Sequence, residues 1–308
     1  MNAITYPPAG RSRRARLEKI AEVDAHEGPV YVADEDALYF TTVPRRADDG
    51  RPVVAIKRLS LADGVVSVVR PDANAANGMT LAPDGRLVVC EQGSLAEPAR
   101  ITLVDRTTGA TETVVDGWRG LPLNSPNDVA AGREGSLWFT DPSYGFLQGF
   151  RPPPRLGDYV YRFDSRTGDV QPVAASLDKP NGIALAPDER VLYVTDSGAN
   201  QELGSFHPER PHHIKAFDVA DGRLVNERLF AVVAPGFPDG LKMDADGRVY
   251  ASFAGGVLIF DSSGEQLDEI ELPGAVNFTF GAPDRDVLLI TADDAVWAAQ
   301  LSRAVNTN

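Results

Sequence analysis

Short apolar runs alternate with turn residues along almost the whole chain. Residues 183–185 and 191–195, for example, flank a turn at 187–190, and a further apolar run follows at 213–217. Runs of this length that are rich in β-branched and aromatic side chains, and are bounded by Gly, Pro or Asp, predict β-strands. In each copy of the pattern, two strands are followed by a loop, a third strand, a turn and a fourth strand. The chain is therefore predicted to be all-β.

The four-stranded unit recurs six times, and every copy starts with a carboxylate or an amide. The copies read EGPVYVADEDALYFT, NGMTLAPDGRLVVCE, NDVAAGREGSLWFTD, NGIALAPDERVLYVTD, DGLKMDADGRVYASF and NFTFGAPDRDVLLITADD. We call their first residues the heads; in chain order these are Glu27, Asn77, Asn127, Asn181, Asp239 and Asn277. Repeats of this length indicate a propeller, a solenoid or an array, because one unit cannot bury its apolar face alone. Four strands per unit, repeated radially, are typical of a β-propeller blade.

These patterns predict a six-bladed β-propeller with four antiparallel strands in each blade. The segment before Glu27, especially residues 17–23, is expected to supply an outer strand of the C-terminal blade near residues 296–301. Such a closure removes the exposed sheet edges that an open ring would leave. Gly and Pro are spread through the turns and mark no linker, so residues 1–308 are predicted to form one domain, with residues 1–12 disordered.

The acidic composition indicates which kinds of ligand the protein could bind. The formal net charge of −14 argues against nucleic acid, whose phosphates need a basic footprint, and is compatible with a cation site. No run approaches the ~18 apolar residues that a membrane-spanning helix needs. The basic N-terminal stretch is followed by no apolar stretch, so it does not read as a secretory signal and a cytoplasmic location is expected. The single cysteine, Cys90, excludes an intrachain disulfide.

The heads are candidate ligands of a cation. In a propeller the first strand of each blade lines the central channel, so equivalent positions form a ring around its mouth. Two carboxylates and four amides, with no thiol among them, suit a hard cation such as Ca²⁺ or Mg²⁺. The alternative is a turn role, because Asn-Gly and Asp-Gly are common turn dipeptides and three of the heads form them.

Two segments are longer than a turn requires, residues 142–158 and residues 197–211. Long loops in compact domains are often functional covers, and surface decoration is the alternative. The chain contains no GxSxG, GxGxxG or GK[ST] motif, so the sequence has none of the motifs that usually indicate a serine hydrolase or a nucleotide-binding protein.

Several segments carry specific motifs that resemble the SMP-30/gluconolactonase family. They are HEGPVYV, NGMTLAPDGRLVVCEQG, LNSPNDVAAGREGSLWFTDPSYGF, KPNGIALAPDERVLYVTDSG and FPDGLKMDADGRVYAS, and the match runs from about Glu27 to Thr291. Members of the family are six-bladed propellers with one catalytic divalent cation in the channel, often Ca²⁺ or Zn²⁺. The chain resembles above all the bacterial gluconolactonase branch. The resemblance implies one such cation here; we expect Ca²⁺, with Zn²⁺, Mg²⁺ or Mn²⁺ as alternatives.

The resemblance also assigns roles to the heads. Four of them correspond to the metal ligands of the family: Glu27, Asn127, Asn181 and Asp239. The other two, Asn77 and Asn277, are then expected to hold water or substrate. The family hydrolyses lactones, especially sugar lactones, and the cation polarises the ester carbonyl. Asp239 is the predicted catalytic base, which takes a proton from the attacking water.

One substrate contact of the family is missing from this chain. Animal members carry an arginine two places before the first asparagine ligand, where this chain has Ser125. Four residues that the motif places beside the third head could replace that contact: Asn124, Asp128, Asp141 and Tyr144. For Asp128 and Asp141 the alternative is a bond to turn backbone.

The sequence thus predicts a metal-dependent lactonase that acts on a small, sugar-derived lactone in carbohydrate metabolism. Two other functions stay open at this point. One is an organophosphate or aryl-ester hydrolase on the same cation, which the apolar loop residues Phe146, Phe150 and Phe206 would favour. The other is a non-catalytic propeller that binds calcium or another ligand.

Overall fold

The computed structural model describes residues 16–202, 204–281 and 286–301. The predicted disorder of residues 1–12 lies outside the described residues. Within them the chain forms β1 (Arg16–Ala25), β2 (Glu27–Val32), β3 (Ala37–Thr41), β4 (Arg45–Arg46), β5 (Pro52–Val53), β6 (Ile56–Ser60), β7 (Val66–Arg70), β8 (Ala76–Leu81), β9 (Leu87–Glu91), β10 (Arg100–Val104), β11 (Thr111–Val115), β12 (Gly117–Trp118), β13 (Leu121–Pro122), β14 (Val129–Ala131), β15 (Leu137–Asp141), α1 (Tyr144–Leu147), β16 (Tyr159–Asp164), β17 (Asp169–Ala174), β18 (Pro180–Leu185), β19 (Val191–Asp196), β20 (His213–Ala220), β21 (Arg223–Val232), β22 (Leu241–Met243), β23 (Val249–Phe253), β24 (Gly256–Phe260), β25 (Gln266–Glu271), β26 (Asn277–Gly281), β27 (Val287–Thr291) and β28 (Asp293–Gln300). No helix in these described ranges is long and apolar enough to cross a membrane.

Six four-stranded sheets form the blades of a propeller. From the inner to the outer strand, blade I consists of β2, β3, β6 and β7, and blade II of β8, β9, β10 and β11. Blade III consists of β14 to β17, blade IV of β18 to β21, blade V of β22 to β25, and blade VI of β26, β27, β28 and β1. Neighbouring strands pair antiparallel throughout the blades. The predicted fold class, an all-β six-bladed β-propeller, is confirmed.

The ring is closed by the N-terminal strand, as predicted. β1 pairs antiparallel with β28, so that Arg16 lies opposite Gln300 and Ala25 lies opposite Asp293. The outer strand of blade VI therefore comes from the start of the described chain, and its three other strands come from the end. The inner strands also contact one another around the ring, from β2 through β8, β14, β18, β22 and β26 back to β2.

The hydrophobic core lies between the blades. Six clusters of buried apolar side chains each combine residues from two neighbouring blades. Tyr39 and Leu87, for example, pack between blades I and II, and Leu38 packs with Leu289 where blade VI meets blade I. The second strands, such as β15 and β27, are buried along their whole length because neighbouring blades cover both of their faces. Covered on both faces, these strands read as continuous apolar runs rather than as alternating ones.

Candidate active site

The six heads stand at the start of the six inner strands. Glu27 and Asn277 are the first residues of β2 and β26, Asn77 and Asn181 are the second residues of β8 and β18, and Asn127 and Asp239 lie two places before β14 and β22. Since the inner strands contact one another around the ring, the heads share one end of the channel, which we call the mouth. Asn77 and Asp239 are half-buried, and the other four heads are buried.

Glycines that follow four of the heads let the inner strands approach one another closely. A Cβ at Gly182 would lie 2.2 Å from the backbone oxygen of Asp239, and a Cβ at Gly240 would lie 2.5 Å from the Asn277 side chain. Gly182 lies inside β18 and not in a tight turn, so the turn interpretation of this Asn-Gly dipeptide is wrong. Glycine is needed there because any side chain would push two neighbouring heads apart.

Hydroxyl groups at the ends of the second strands fasten each blade to the next. Thr195 Oγ1 donates to the backbone oxygen of Asp239 at 2.9 Å, and Thr140 Oγ1 donates to that of Asn181 at 2.7 Å. Three further hydroxyls make the same bond to the start of the following inner strand: Thr41 to Asn77, Ser252 to Val276 and Thr291 to His26. Each bond holds the backbone at a head or directly before one, so the ring itself sets the positions of the heads.

Blade II has Cys90 in place of this hydroxyl. Cys90 is the fourth residue of β9, the position that Thr140 occupies in β15. Its thiol is fully buried, and burial raises its pKa well above the ordinary range, so the thiol stays protonated. The link to blade III is made by the backbone instead, where the Gly78 nitrogen donates to the Asn127 oxygen at 2.8 Å.

Two carboxylates, Glu27 and Asp239, stand at the mouth. Glu27 Oε2 accepts a hydrogen bond from Asn277 Nδ2 at 2.7 Å. Burial raises the pKa of Glu27, and the neighbouring His26 opposes that shift. Burial, followed by the charge of Glu27, raises the pKa of Asp239 to about 8, although a hydrogen bond with the Asn181 side chain acts in the other direction. Both mouth carboxylates therefore resist ionisation in the protein alone.

The donor atoms at the mouth fit a hard divalent cation. Glu27 and Asp239 offer carboxylate oxygens, and Asn127 and Asn181 offer amide oxygens, which are the groups that Ca²⁺ and Mg²⁺ prefer. Positive charge beside two carboxylates whose pKa values are both raised would favour their ionised forms. The described ranges contain no group of three or more His, Cys, Asp or Glu side chains that could hold a metal ion, and the candidate set has two carboxylates and two amides.

Asp128 is 2% exposed, and three groups surround its carboxylate. Oδ1 accepts from the Val129 nitrogen at 2.9 Å, and Oδ2 accepts from the Ile183 nitrogen at 3.4 Å and lies 3.5 Å from Lys242 Nζ. The charge of Asp128 reaches the mouth, since it helps to raise the pKa of both mouth carboxylates. Two of these three contacts are hydrogen bonds from backbone nitrogens, which is the kind of bond that the alternative interpretation of Asp128 predicts. Its role in substrate binding stays a prediction.

Asp141 is fully buried and holds the loop that leads to the third head. Its oxygens accept from the backbone nitrogens of Asn124 at 2.9 Å and Ser125 at 2.8 Å. Burial raises the pKa of Asp141 to about 7, and these two bonds limit the rise. Asp196 makes the same pair of bonds to the loop before Asn181. Asp141 is thus bonded to backbone, and its role in substrate binding stays a prediction.

The loop before the third head turns its side chains into the protein. Asn124 Nδ2 donates to the backbone oxygens of Asp141 at 3.2 Å and Gly157 at 3.1 Å, and its buried Oδ1 has no partner within the described residues. Ser125 is fully buried and its Oγ donates to the Pro142 oxygen at 2.6 Å. The residue at the place of the family's arginine therefore supports the loop and is closed off from solvent.

The loop of residues 142–158 reaches the mouth through Tyr144. The hydroxyl of this buried residue donates to the Ser197 oxygen at 3.3 Å, and its pKa is raised by burial and then by the charge of Asp239. The buried Arg151 fastens the same loop through hydrogen bonds from its guanidinium to four backbone oxygens, those of Ser94, Glu97, Leu123 and Asn124. This loop is therefore held against the mouth by buried contacts.

Several groups near the mouth are not identified by the sequence patterns. The hydroxyl groups that link the blades could have been found from the sequence, because a Thr or Ser ends the apolar run in LYFT, LWFT, LYVT, VYAS and LLIT. No local pattern identifies His26 or Lys242, since their partners are distant in the chain. His26 Nδ1 lies 2.6 Å from Asp293 Oδ1, and Lys242 lies beside Asp128.

The chain matches one protein family over most of its length. Residues 25–294 match the family model described as SMP-30/Gluconolactonase/LRE-like region. A gluconolactonase from Zymomonas mobilis is 32% identical over 270 residues, which cover 82% of this chain and 71% of that protein. The lactonohydrolase oryL of Aspergillus oryzae is 31% identical over 294 residues, which cover 86% of this chain and 65% of that protein. The solved structure of a gluconolactonase from Xanthomonas campestris is 33% identical and has a TM-score of 0.78, covering 93% of this chain and 89% of that one. The chain therefore belongs to the SMP-30/gluconolactonase/LRE-like family.

Proposed function

We propose that this protein is a lactonase that opens a small, sugar-derived lactone at the channel mouth. The observation that carries the proposal is the pair Glu27 and Asp239, two carboxylates that share the mouth with amide side chains and have raised pKa values. The similar proteins from Zymomonas mobilis and Xanthomonas campestris are named gluconolactonases, which supports lactone hydrolysis as the reaction.

Four heads would hold a divalent cation: Glu27, Asn127, Asn181 and Asp239. Ca²⁺ is the first candidate because all the donors are carboxylate or amide oxygens, with Zn²⁺, Mg²⁺ and Mn²⁺ as alternatives. When bound, the cation would polarise the lactone carbonyl and supply positive charge for the oxyanion that forms. The hydroxyl bonds of Thr140 and Thr195 to the backbone of two of these ligands keep the donor positions fixed.

Asp239 acts as the base in this proposal. A bond forms between the water oxygen and the carbonyl carbon of the lactone, and the ring carbon–oxygen bond breaks. Asp239 takes the proton from the water and returns it to the departing ring oxygen, which becomes a hydroxyl of the open hydroxy acid. A cation beside Asp239 would lower its pKa, which keeps the carboxylate ionised but makes it a weaker base, and the cation would compensate by acidifying the attacking water.

The two heads that would not bind the cation, Asn77 and Asn277, have different roles. Asn77 is half-buried at the mouth, so its amide can bond a hydroxyl of the substrate. Asn277 donates Nδ2 to Glu27 at 2.7 Å and accepts from the Phe278 nitrogen through Oδ1 at 2.8 Å. With both ends of its amide engaged, Asn277 orients Glu27 in this proposal. Tyr144 adds a hydroxyl whose pKa is raised by burial and then by the charge of Asp239.

Exposed aromatic side chains favour a second candidate, an aryl-ester or organophosphate hydrolase on the same site. Phe146 is 43% exposed and Phe206 is 48% exposed, one in each of the two long loops, whereas Phe150 is buried. Apolar side chains on loops suit an aromatic substituent better than the hydroxyls of a sugar.

A hydrolysis assay on metal-stripped protein tests the proposal. A pH indicator would follow D-glucono-δ-lactone, a pentonolactone and an aryl ester, with Ca²⁺, Mg²⁺, Mn²⁺ or Zn²⁺ added back in turn. Hydrolysis of a sugar lactone that returns with a cation is the expected result. Turnover of the aryl ester alone would favour the second candidate. Bound cation with no turnover of any substrate would contradict both and favour a non-catalytic binding propeller.

Asp239→Asn tests the assignment of the base. We expect turnover to fall by about 10²–10⁴-fold, because the proton of the attacking water loses its acceptor. Calorimetric titration with Ca²⁺ on the same variant separates loss of the base from loss of the cation. Asp246→Asn is the matched control, since Asp246 is an exposed carboxylate that pairs with Arg248 at 3.2 Å. Turnover at the wild-type level in Asp239→Asn would contradict the assignment.

A further inference from the structure

A lysine side chain joins blade V to blade III at the inner strands of the propeller. Lys242 is the middle residue of β22, the inner strand of blade V, and its Nζ lies 3.5 Å from Asp128 Oδ2 in blade III. Blade IV stands between these two blades in the ring, so the pair joins strands that are not neighbours. The Lys242 side chain is 21% exposed and that of Asp128 is 2% exposed. The ion pair is therefore largely removed from solvent.

The charges around the mouth balance only when Lys242 is counted. Glu27, Asp239 and Asp128 carry three negative charges when ionised, and each of the first two senses the charge of Asp128. A divalent cation would supply two positive charges and leave one carboxylate uncompensated. His26 lies beside Glu27 but is bonded to a further carboxylate, Asp293, at 2.6 Å. Lys242 supplies the remaining positive charge, at the carboxylate that is not a head.

We propose that Lys242 is an internal counter-charge that pairs with Asp128 and keeps it from binding the cation, which leaves Glu27 and Asp239 as the charged ligands of a single divalent ion. This inference rests on the proposed cation site. Lys242 then has two effects, which are measured separately. It holds the channel together when no cation is bound, and its fixed positive charge lowers the affinity of the mouth for the cation.

Both effects follow from burial. An ion pair that loses one partner leaves an uncompensated charge behind, and Asp128 would keep only its two bonds from backbone nitrogens. Removal of the ammonium group would also remove its repulsion on a cation at the mouth, and it would leave Asp128 Oδ2 with the Ile183 nitrogen as its donor. The cation-free protein should therefore be less stable without Lys242, while its affinity for the cation should be higher.

The experiment compares Lys242→Met with Lys215→Met. Lys215 is a matched control, because its Nζ also forms one ion pair, at 2.6 Å with Glu227 in blade IV, away from the mouth. In EDTA we expect the Tm of Lys242→Met to lie about 5 °C or more below wild type. In calorimetric titration we expect Ca²⁺ to bind Lys242→Met about tenfold more tightly than wild type. Lys215→Met should show neither change.

The single variant Asp128→Asn and the double variant Lys242→Met/Asp128→Asn complete a double-mutant cycle. The double variant removes both charges of the pair, so its Tm in EDTA should return toward that of wild type. A Lys242→Met protein that fails to fold, while the double variant folds, would support the pair for the same reason. Unchanged Ca²⁺ affinity in Lys242→Met would overturn the proposal even if the Tm falls, because Lys242 would then be a structural partner alone.

The proposed function can fail independently of this inference. A wild-type protein that binds none of the four cations would contradict the cation site. A double-variant cycle in EDTA with no coupling between Lys242 and Asp128 would contradict the counter-charge. The first result comes from titration and the second from Tm values without metal, so the two failures are distinguishable.

Discussion

Buried carboxylates occur both at the mouth and at the ends of second strands, and their hydrogen-bond partners differ. At the mouth, Asp239 has a hydrogen bond with the Asn181 amide, and Glu27 accepts from the Asn277 amide and from the backbone nitrogen of the next residue, Gly28. Asp141 and Asp196 end the second strands of blades III and IV, and each accepts from two backbone nitrogens. A backbone nitrogen can only donate, and its position is fixed by the chain. A side-chain amide, in contrast, can present either its nitrogen or its oxygen to a neighbour.

The comparison separates two uses of a buried acid. The acids bonded to backbone fix the loops that carry Asn127 and Asn181 to the mouth, so they act as braces. The mouth acids differ in that each is bonded to a side-chain amide of another head, while burial raises their pKa values as it raises that of Asp141. Such groups are suited to meeting a charge or a proton that arrives from outside.

Glu27→Gln should break the mouth pair and leave the braces intact. We expect Ca²⁺ affinity to fall at least about 100-fold, because one of two charged ligands is lost. Calorimetric titration measures the affinity, and thermal unfolding in EDTA provides the control. The Tm in EDTA should be unchanged or higher, since burial disfavours the charge that is removed. A lower Tm with unchanged affinity would instead make Glu27 a brace.

Asp196→Asn should show the opposite profile. Its side chain would lose the charge that meets two backbone nitrogens, and we expect the free energy of unfolding to fall by about 3 kcal/mol. Ca²⁺ affinity should change by less than about threefold when the protein is folded, because no ligand is removed. Urea unfolding measures the stability, with Asp246→Asn as the exposed control. Loss of affinity at wild-type stability would refute the brace.

The pH dependence of stability should contain a contribution from Asp141 that comparison with Asp141→Asn isolates. Its folded-state pKa of about 7 lies above its ordinary value of 3.8, because burial disfavours the ionised form. The native state therefore keeps this proton to higher pH than the unfolded chain, and the contribution of Asp141 to stability falls as the pH rises between those values. Between pH 5.5 and 7.5 we expect wild type to lose about 2 kcal/mol relative to Asp141→Asn. Parallel stability curves for the two proteins would contradict the expectation.

The fold is predictable from the sequence because its elements repeat. Six copies in one register predict six blades, and the segment before Glu27, residues 17–23, predicts the closing strand, which pairs with β28 as expected. The heads follow from the same register, since equivalent positions in a propeller share one end of the channel. Local patterns carry all of this information.

The rest of the site depends on contacts that local patterns cannot contain. Lys242 is 114 residues from Asp128, and Arg151 is 57 residues from Ser94. The glycine after Asn181 has the sequence of a turn, but its need for space arises from the Asp239 backbone in the next blade. Only the closed ring brings such residues together. A single sequence therefore shows which side chains are present but not which side chains lie next to each other.

The bonds at the join between blade VI and blade I have a consequence for the order of assembly. Glu27 is near the start of the described chain, yet its carboxylate is oriented by Asn277, and the backbone before it is held by Thr291. These contacts close loops of about 250 residues, so they form late in folding compared with the local hairpins of each blade. During synthesis Glu27 leaves the ribosome before the strands β26 and β27 of blade VI, which carry its partners. Tight cation binding should then report a finished ring, because no partial set of blades brings Glu27 and Asp239 to their final places.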